Sequence, residues 1–247
     1  MSVSRRKFLG ISGAVAGVAL APGVRLIEIA AAKPAAEEAS STQRWGLLID
    51  TNKCTKGCTS CVDACNTENG IKEMSHPGHD NTTTSAQWIR KLEVTDKNTG
   101  FEHSLPVMCQ HCAEPPCVDV CPTGASMKRA DGIVLVDKHV CIGCRYCMMA
   151  CPYKARSFIH EDLTDQKAHA PRGKGTVESC TLCVHKIDNG DGTTACAEAC
   201  TKEGHNAIVF GDLNDENSEI AQRVKKEATT RIRADLSLNT GVRYQGI

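Results

Sequence analysis

Aromatic side chains are scarce in this chain: four Phe, three Tyr and two Trp make up 4% of 247 residues. The organic core is therefore thin, and something else must fill the interior. A charge of one sign is also missing, with 29 basic residues against 29 acidic. Nothing here is basic enough for nucleic acid binding. No C-x-x-C-H occurs, because Cys112 is followed by Ala113 and Cys183 by Val184. Covalent c-type haem is not expected. The apolar stretch Phe8 to Ala21 has fourteen residues, three of them glycine, short of the ~20 that span a bilayer as a helix.

Cysteine is what the chain has in excess. Its sixteen cysteines fall into four groups of four with none left over: Cys54, Cys58, Cys61 and Cys65; Cys109, Cys112, Cys117 and Cys121; Cys141, Cys144, Cys147 and Cys151; and Cys180, Cys183, Cys196 and Cys200. Four thiolates are what one [4Fe–4S] cubane needs, so the count points to four clusters. The third group reads C-I-G-C-R-Y-C-M-M-A-C-P, the C-x2-C-x2-C-x3-C-P run of two-cluster ferredoxins, whose fourth cysteine ligates the other cluster. Gly143 gives that loop room to approach an inorganic sulfide. Pro152 fixes the backbone after Cys151, so Cys151 can point to a second cluster. The second group is C-x2-C-x4-C-x3-C-P, the first C-x3-C-x2-C-x3-C with Gly57 in its widened gap, and the fourth C-x2-C, twelve residues, then C-x3-C. Neither outer group ends in Cys-Pro.

Zinc ribbons also use C-x2-C pairs, but zinc has no use for three cysteines in seven residues followed by proline. A disulfide framework suits an even cysteine count, yet cysteines this close on short loops bridge poorly. His76 and His79 in H-P-G-H look like a loop metal pair, but polar residues in a Pro/Gly loop are the better explanation. His111, between two cysteines, is expected to hydrogen-bond near a cluster sulfur rather than ligate iron. Asn81-Thr82-Thr83 is a chance sequon match. No residue group offers a nucleophile, a general base or a substrate pocket, so no catalytic residue is assigned.

Arg5 and Arg6 before the apolar stretch make a twin-arginine export signal, with Ala30-Ala31-Ala32 offering a cleavage site; an uncleaved signal acting as an anchor is the alternative. That route carries folded proteins, so clusters can be inserted before export. Without residues 1–32 the chain has 25 basic and 28 acidic residues, a formal −3. Lys53, Lys56, Arg145, Lys154, Arg156 and Lys186 lie beside the motifs and could offset the charge of anionic clusters. Strands are expected at Trp45–Asp50, Ile133–Asp137 and Ala207–Phe210, and a hairpin at Trp88–Val94 and Phe101–Val107. An amphipathic helix is expected over Glu219–Thr229, with Ser218 as N-cap.

C-Q-H-C-A-E-P-P-C-V-D-V-C-P-T-G-A from Cys109, C-I-G-C-R-Y-C-M-M-A-C-P-Y-K-A-R from Cys141, C-T-L-C-V-H-K-I from Cys180 and G-D-L-N-D-E-N-S-E from Gly211 carry a family likeness. Through them the chain resembles the four-cluster iron–sulfur subunits of the dimethyl-sulfoxide-reductase and polysulfide-reductase type, over nearly all of its length after the leader. Within that family the widened Cys54–Cys58 gap, the twin-arginine leader and W-G-L-L-I-D-T-N-K-C most resemble the DsrO subfamily, exported subunits of the DsrMKJOP complexes of sulfate reducers and sulfur oxidisers.

The resemblance implies an α+β fold with two ferredoxin-like lobes, each binding two [4Fe–4S] clusters, loop-rich with short antiparallel strands. It implies four ligand shells: Cys54, Cys58, Cys61 with Cys200; Cys180, Cys183, Cys196 with Cys65; Cys109, Cys112, Cys117 with Cys151; and Cys141, Cys144, Cys147 with Cys121. The expected organisation is a signal peptide at 1–32, a flexible lead-in at 33–44, and the first motif with its hairpin at 45–108. An inner lobe at 109–165, the fourth motif at 166–211 and a C-terminal helix and tail at 212–247 follow. The implied role is electron relay between an integral membrane quinone-reactive subunit and a multihaem cytochrome c. The protein would then be periplasmic, peripheral to the cytoplasmic membrane through its complex and not an enzyme on its own. Service to a molybdopterin reductase subunit stays open, as does a zinc-stabilised interaction protein.

Overall fold

A computed structural model of the chain describes residues 39–71, 85–164 and 166–247. The leader at 1–32, half of the lead-in (33–38), His76, His79 and the Asn81 sequon lie outside the described residues. The elements in chain order are β1 (Trp45–Asp50), α1 (Ser60–Asn69), β2 (Ile89–Thr95), β3 (Glu102–Met108), α2 (Pro116–Asp119), β4 (Ser126–Lys128) and β5 (Val134–Val136). After them come α3 (Tyr146–Ala150), β6 (Ser157–Phe158), β7 (Val177–Glu178), α4 (Val184–Asp188), α5 (Ala195–Lys202), β8 (Ile208–Asp212), α6 (Glu219–Lys226) and β9 (Val242–Gln245). The result is a mixed, loop-rich α+β fold of short elements.

One three-stranded sheet anchors it, in the order β8-β1-β9. Leu47, Leu48 and Ile49 of β1 are all buried, as a central strand covered on both faces requires. β1 runs antiparallel to β8, from Trp45 against Asp212 to Ile49 against Ile208, and the Trp45 and Phe210 rings stack 5.3 Å apart. β1 runs parallel to β9, from Leu47 against Val242 to Asp50 against Gln245. The expectation of antiparallel strands alone is therefore corrected at this edge. The expected tail after residue 226 is instead an integral strand, with Val242 and Tyr244 buried. The Tyr244 hydroxyl donates to the Pro106 carbonyl at 3.0 Å, pinning the sheet to the hairpin.

That hairpin, β2 with β3, forms where its turn residues indicated, Ile89 facing Met108 and Thr95 facing Glu102. The other strand pairs are β4 with β5 and β6 with β7. Helix α6 starts as its cap indicated: Ser218 Oγ accepts from the Ala221 N–H at 3.2 Å, satisfying a free donor of the first turn. It stops at Lys226 rather than Thr229. Glu227 is already extended, and Thr230 bridges Tyr244 through two backbone hydrogen bonds of 2.7 and 2.9 Å. A sheet contact thus wins over another half turn of helix.

The core is threaded with sulfur. Cys61, Cys65, Cys109, Cys112, Cys117, Cys147, Cys151, Cys180, Cys196 and Cys200 sit in the same buried cluster as Leu47, Ile49, Met108 and Tyr244. Helix α1 packs on α5, and α2 on α3. Each of these helices carries cysteines, so packing the helices brings thiols from different motifs together.

Candidate metal centres

All sixteen cysteines are free of disulfide bonds. Helix α1 presents Cys61 and Cys65 four residues apart, and α5 presents Cys196 and Cys200 in the same way; that spacing places each pair on one helix face. Gly70 in the left-handed conformation ends α1, and Thr194 caps α5 by accepting from Ala197 N–H. Cys65, Cys180, Cys183 and Cys196 line one cavity with Leu47, Trp88 and Met108. Cys61 lies instead beside Cys54, Cys58 and Cys200. Its thiol is pushed up to about 11, by burial first and then by Cys54, with Lys91 opposing and Cys200 and Cys58 adding.

In the middle motifs, Cys109, Cys112, Cys117 and Cys151 line a second cavity with Pro115, Pro116, Tyr153 and Arg156. Cys151 therefore faces the preceding motif's cysteines. Among Cys121, Cys141, Cys144 and Cys147, Cys147 has Cys141 as an electrostatic neighbour, after Cys117 of the second motif. Burial raises the Cys147 thiol most, Arg156 opposes, and Cys117 and Cys141 add to the rise. Cys144 is exposed and Cys121 half-buried.

One backbone device recurs in all four motifs. The residue just before the second cysteine has positive φ: Gly57 (75°), His111 (43°), Gly143 (69°) and Leu182 (56°). Glycine takes this conformation freely, whereas His and Leu take it at a cost of order 1–2 kcal/mol. The widened Cys54–Cys58 gap keeps it. The two glycines were visible in the sequence; His111 and Leu182 were not, because nothing in their side chains announces a left-handed turn. At Gly143 the backbone also approaches protein closely: a Cβ there would overlap the Gly175 carbonyl oxygen.

The donor set fits thiolate-ligated iron. Backbone N–H groups point at sulfur from Ser126 to Cys121 (3.3 Å), Val177 to Cys141 (3.4 Å), Leu182 to Cys180 (3.4 Å) and Ala207 to Cys200 (3.2 Å). Asn69 Nδ2 reaches Cys65 Sγ at 3.6 Å. Such bonds stabilise sulfur that carries negative charge and tune a cluster. Burial pushes the Cys109, Cys112 and Cys196 thiols up to about 12, so free thiolates are disfavoured there. A bound metal reverses that balance, since a coordinating thiol is deprotonated.

The flanking cations divide. Lys56 pairs with Glu102, and Lys186 with Glu198 and Asp191. Lys53 faces Asp50 at 3.6 Å, Arg145 lies 4.2 Å over the Phe158 ring, and Lys154 is exposed. Of the six cations the sequence singled out, Arg156 is the one that reaches a thiol: its Nη2 donates to Cys117 Sγ at 3.0 Å. Sequence reasoning missed Lys91, whose Nζ donates to the carbonyls of Thr55 and Cys58 and so braces the first loop from the hairpin. His111 is buried, between Cys109 and Cys112 in the chain. Its Nδ1 accepts from Val134 N–H at 3.0 Å, while Nε2 is buried without a partner. Burial, helped by Arg44 and Arg156, lowers its pKa to about 3, so the ring is neutral.

Glu68, His169 and His185 also converge. His185 Nε2 lies 2.8 Å from Glu68 Oε1, His169 Nε2 lies 2.9 Å from the Glu68 carbonyl oxygen, and the two rings stack at 4.0 Å. Both Nε2 atoms already face oxygens of Glu68, so this group braces α1 against α4 and the 166–170 loop.

Comparison with known proteins decides the family. A 4Fe–4S dicluster domain matches residues 101–212. The Hdr-like menaquinol oxidoreductase iron–sulfur subunit 1 of Archaeoglobus fulgidus is 39% identical across 98% of this chain and 97% of its own length. The chain belongs to the [4Fe–4S] electron-transfer subunits of oxidoreductase complexes. The B component of the tetrathionate reductase of Salmonella typhimurium is 37% identical over 90% of this chain and 78% of that protein. The menaquinone reductase iron–sulfur cluster-binding subunit of Nitratidesulfovibrio vulgaris is 34% identical over 81% and 88%. As one of these electron-transfer subunits the chain binds multiple [4Fe–4S] clusters and is not the catalytic subunit of its complex. Among the described residues, no helix is long and apolar enough to cross a membrane.

Proposed function

We propose that this protein relays electrons through four [4Fe–4S] clusters held in two ferredoxin-like lobes. The shells are Cys54, Cys58, Cys61 with Cys200; Cys65 with Cys180, Cys183, Cys196; Cys109, Cys112, Cys117 with Cys151; and Cys121 with Cys141, Cys144, Cys147. The observation that carries this reading is that cavities mix cysteines of different motifs: Cys65 lies with three from the fourth motif, and Cys151 with three from the second. Iron and acid-labile sulfide analysis tests it. About sixteen iron per chain are expected from four cubanes; zinc without sulfide would end the reading.

The same reading assigns the chain to a DsrO-type position in a sulfur-metabolism membrane complex, between a quinone-reactive membrane subunit and a multihaem cytochrome c. Relatives named for menaquinol and menaquinone support the quinone side. So does an exposed apolar face around the exposed Cys144, made by Val140, Ile142, Tyr146 and Met149, with Ile142 and Met149 each 67% accessible. Exposed apolar residues gathered in one place mark an interaction surface. Arg5, Arg6 and the Phe8–Ala21 stretch support export by the twin-arginine route to the outer face of the cytoplasmic membrane. A second reading, service to a molybdopterin reductase, draws on the tetrathionate reductase relative. Co-purification separates the two: a multihaem cytochrome with a polytopic membrane protein on the first, a molybdenum subunit on the second. Recovery of the chain in the cytoplasm after Arg5 and Arg6 are both replaced by Lys tests the export route.

A further inference from the structure

Arg156 is 6% accessible and stands immediately before β6, on the segment that follows Cys151-Pro152. Its Nη2 donates to Cys117 Sγ at 3.0 Å and to Ser126 Oγ at 2.8 Å. The Cys109 and Cys147 thiols are its other sulfur neighbours. Its Nη1 is buried with no hydrogen-bond partner. Among the described residues no carboxylate forms an ion pair with it. Glu178, a buried carboxylate of this region, is held by both Nε and Nη2 of Arg172 at 2.8 Å.

A buried guanidinium without a carboxylate is costly unless another anion compensates it. Here the groups that surround it are sulfurs of two different shells: Cys117 and Cys109 belong to one inner cluster, Cys147 to the other. Four thiolates on a cubane make each cluster net anionic, and the planar fork of Arg offers donors in more than one direction. We propose that Arg156 is the shared counter-charge of the two inner clusters, setting both reduction potentials from one position between them. It is a positioning residue: it neither ligates iron nor reacts. A fixed positive charge favours the reduced, more negative state of each cluster, so it holds both potentials up. The orphaned Nη1 is the donor left for a cluster sulfur.

This inference rests on the ligand shells proposed above. The test uses the full chain with its clusters, comparing R156Q and R156K with the parent by iron and sulfide content and by redox titration followed by electron paramagnetic resonance. If the parent holds no sulfide, the shells themselves fail. Given a loaded parent, R156Q is expected to keep its iron and to lower the reduced-to-oxidised ratio of the inner clusters about tenfold at fixed ambient potential. That is about 59 mV for a one-electron couple. The outer clusters stay unmoved, and R156K, which keeps the charge, returns the inner pair most of the way. Loss of inner-cluster iron in R156Q but not in R156K also supports the proposal, since the charge then holds the clusters as well as tuning them. Full iron with unmoved potentials in R156Q overturns it. So does loss of iron in both variants, which would make the side chain's shape, not its charge, what matters.

Discussion

The outer and inner cysteine groups solve one problem with different materials. In the outer pair, α1 and α5 each present two cysteines, and the central sheet lies behind them. Cys65, Cys180, Cys183, Cys196 and Cys200 are all buried there. In the inner pair, loops and the one-turn helices α2 and α3 carry the cysteines, Cys-Pro ends both motifs, and Cys144 is exposed. The departures from the ferredoxin pattern, a widened Cys54–Cys58 gap and no Cys-Pro, pointed to the outer pair as the looser one. Exposure divides the molecule differently: each pair has deeply buried cysteines, and each has shallower ones, at Cys54 and Cys58 or at Cys121 and Cys144. Helix packing takes over in the outer pair what proline does in the inner.

The comparison breaks most severely if sulfur ligation is not what fills the core. Chain freed of iron is expected to lose cooperative unfolding altogether, as metal-dependent small cores do; a sharp thermal transition by circular dichroism in cluster-free protein would refute that. Next in size is a contrast of ligands. Cys65→Ser, deep between α1 and α5, is expected to lose about four of about sixteen iron and to lower the melting temperature. Cys144→Ser, at the surface, should lose no more iron and leave the melt almost unchanged. Equal loss of stability would mean that exposure does not rank the shells.

A smaller contrast concerns the recurrent left-handed turn. Gly143→Ala drives a Cβ into the Gly175 carbonyl and should cost about 3 kcal/mol or more, in the range of severe backbone strain and overpacking. Gly57→Ala meets nothing within 4 Å, so only the backbone penalty of about 1 kcal/mol remains. Denaturant titration of the loaded proteins reads both, and equal costs would deny the first motif its looser surroundings. Smallest is Ser218→Ala, about 1 kcal/mol for a lost N-cap, which should leave the iron content of both pairs untouched.

Local signals carried well into the structure. Trp45–Asp50 is a strand with its stated ends, the Asn98-Thr99-Gly100 turn makes its hairpin, and Ser218 caps α6. What stayed hidden was set by long-range partners. Val242 and Tyr244 alternate with polar residues as a strand should, but four residues after an irregular stretch give a weak period. Their parallel partner lies almost two hundred residues earlier in the chain. Arg156 was visible as a cation near a motif, like five others; only the fold distinguishes it, by taking the others to carboxylates, a ring or solvent. Cysteine spacing gave the motifs, while which motifs share a cavity depends on α1 meeting α5 and α2 meeting α3.

The parallel pairing of β1 with β9 imposes an order in time. A ribosome releases Val242–Gln245 after all sixteen cysteines have emerged, and until then β1 has one open edge of unpaired amides and carbonyls. An unfinished sheet edge of that kind is a site for adventitious pairing. The molecule therefore closes like a clasp, its last strand sealing the segment that begins the described fold. Truncation at the C-terminus would leave every cysteine in place and still leave the fold unlatched.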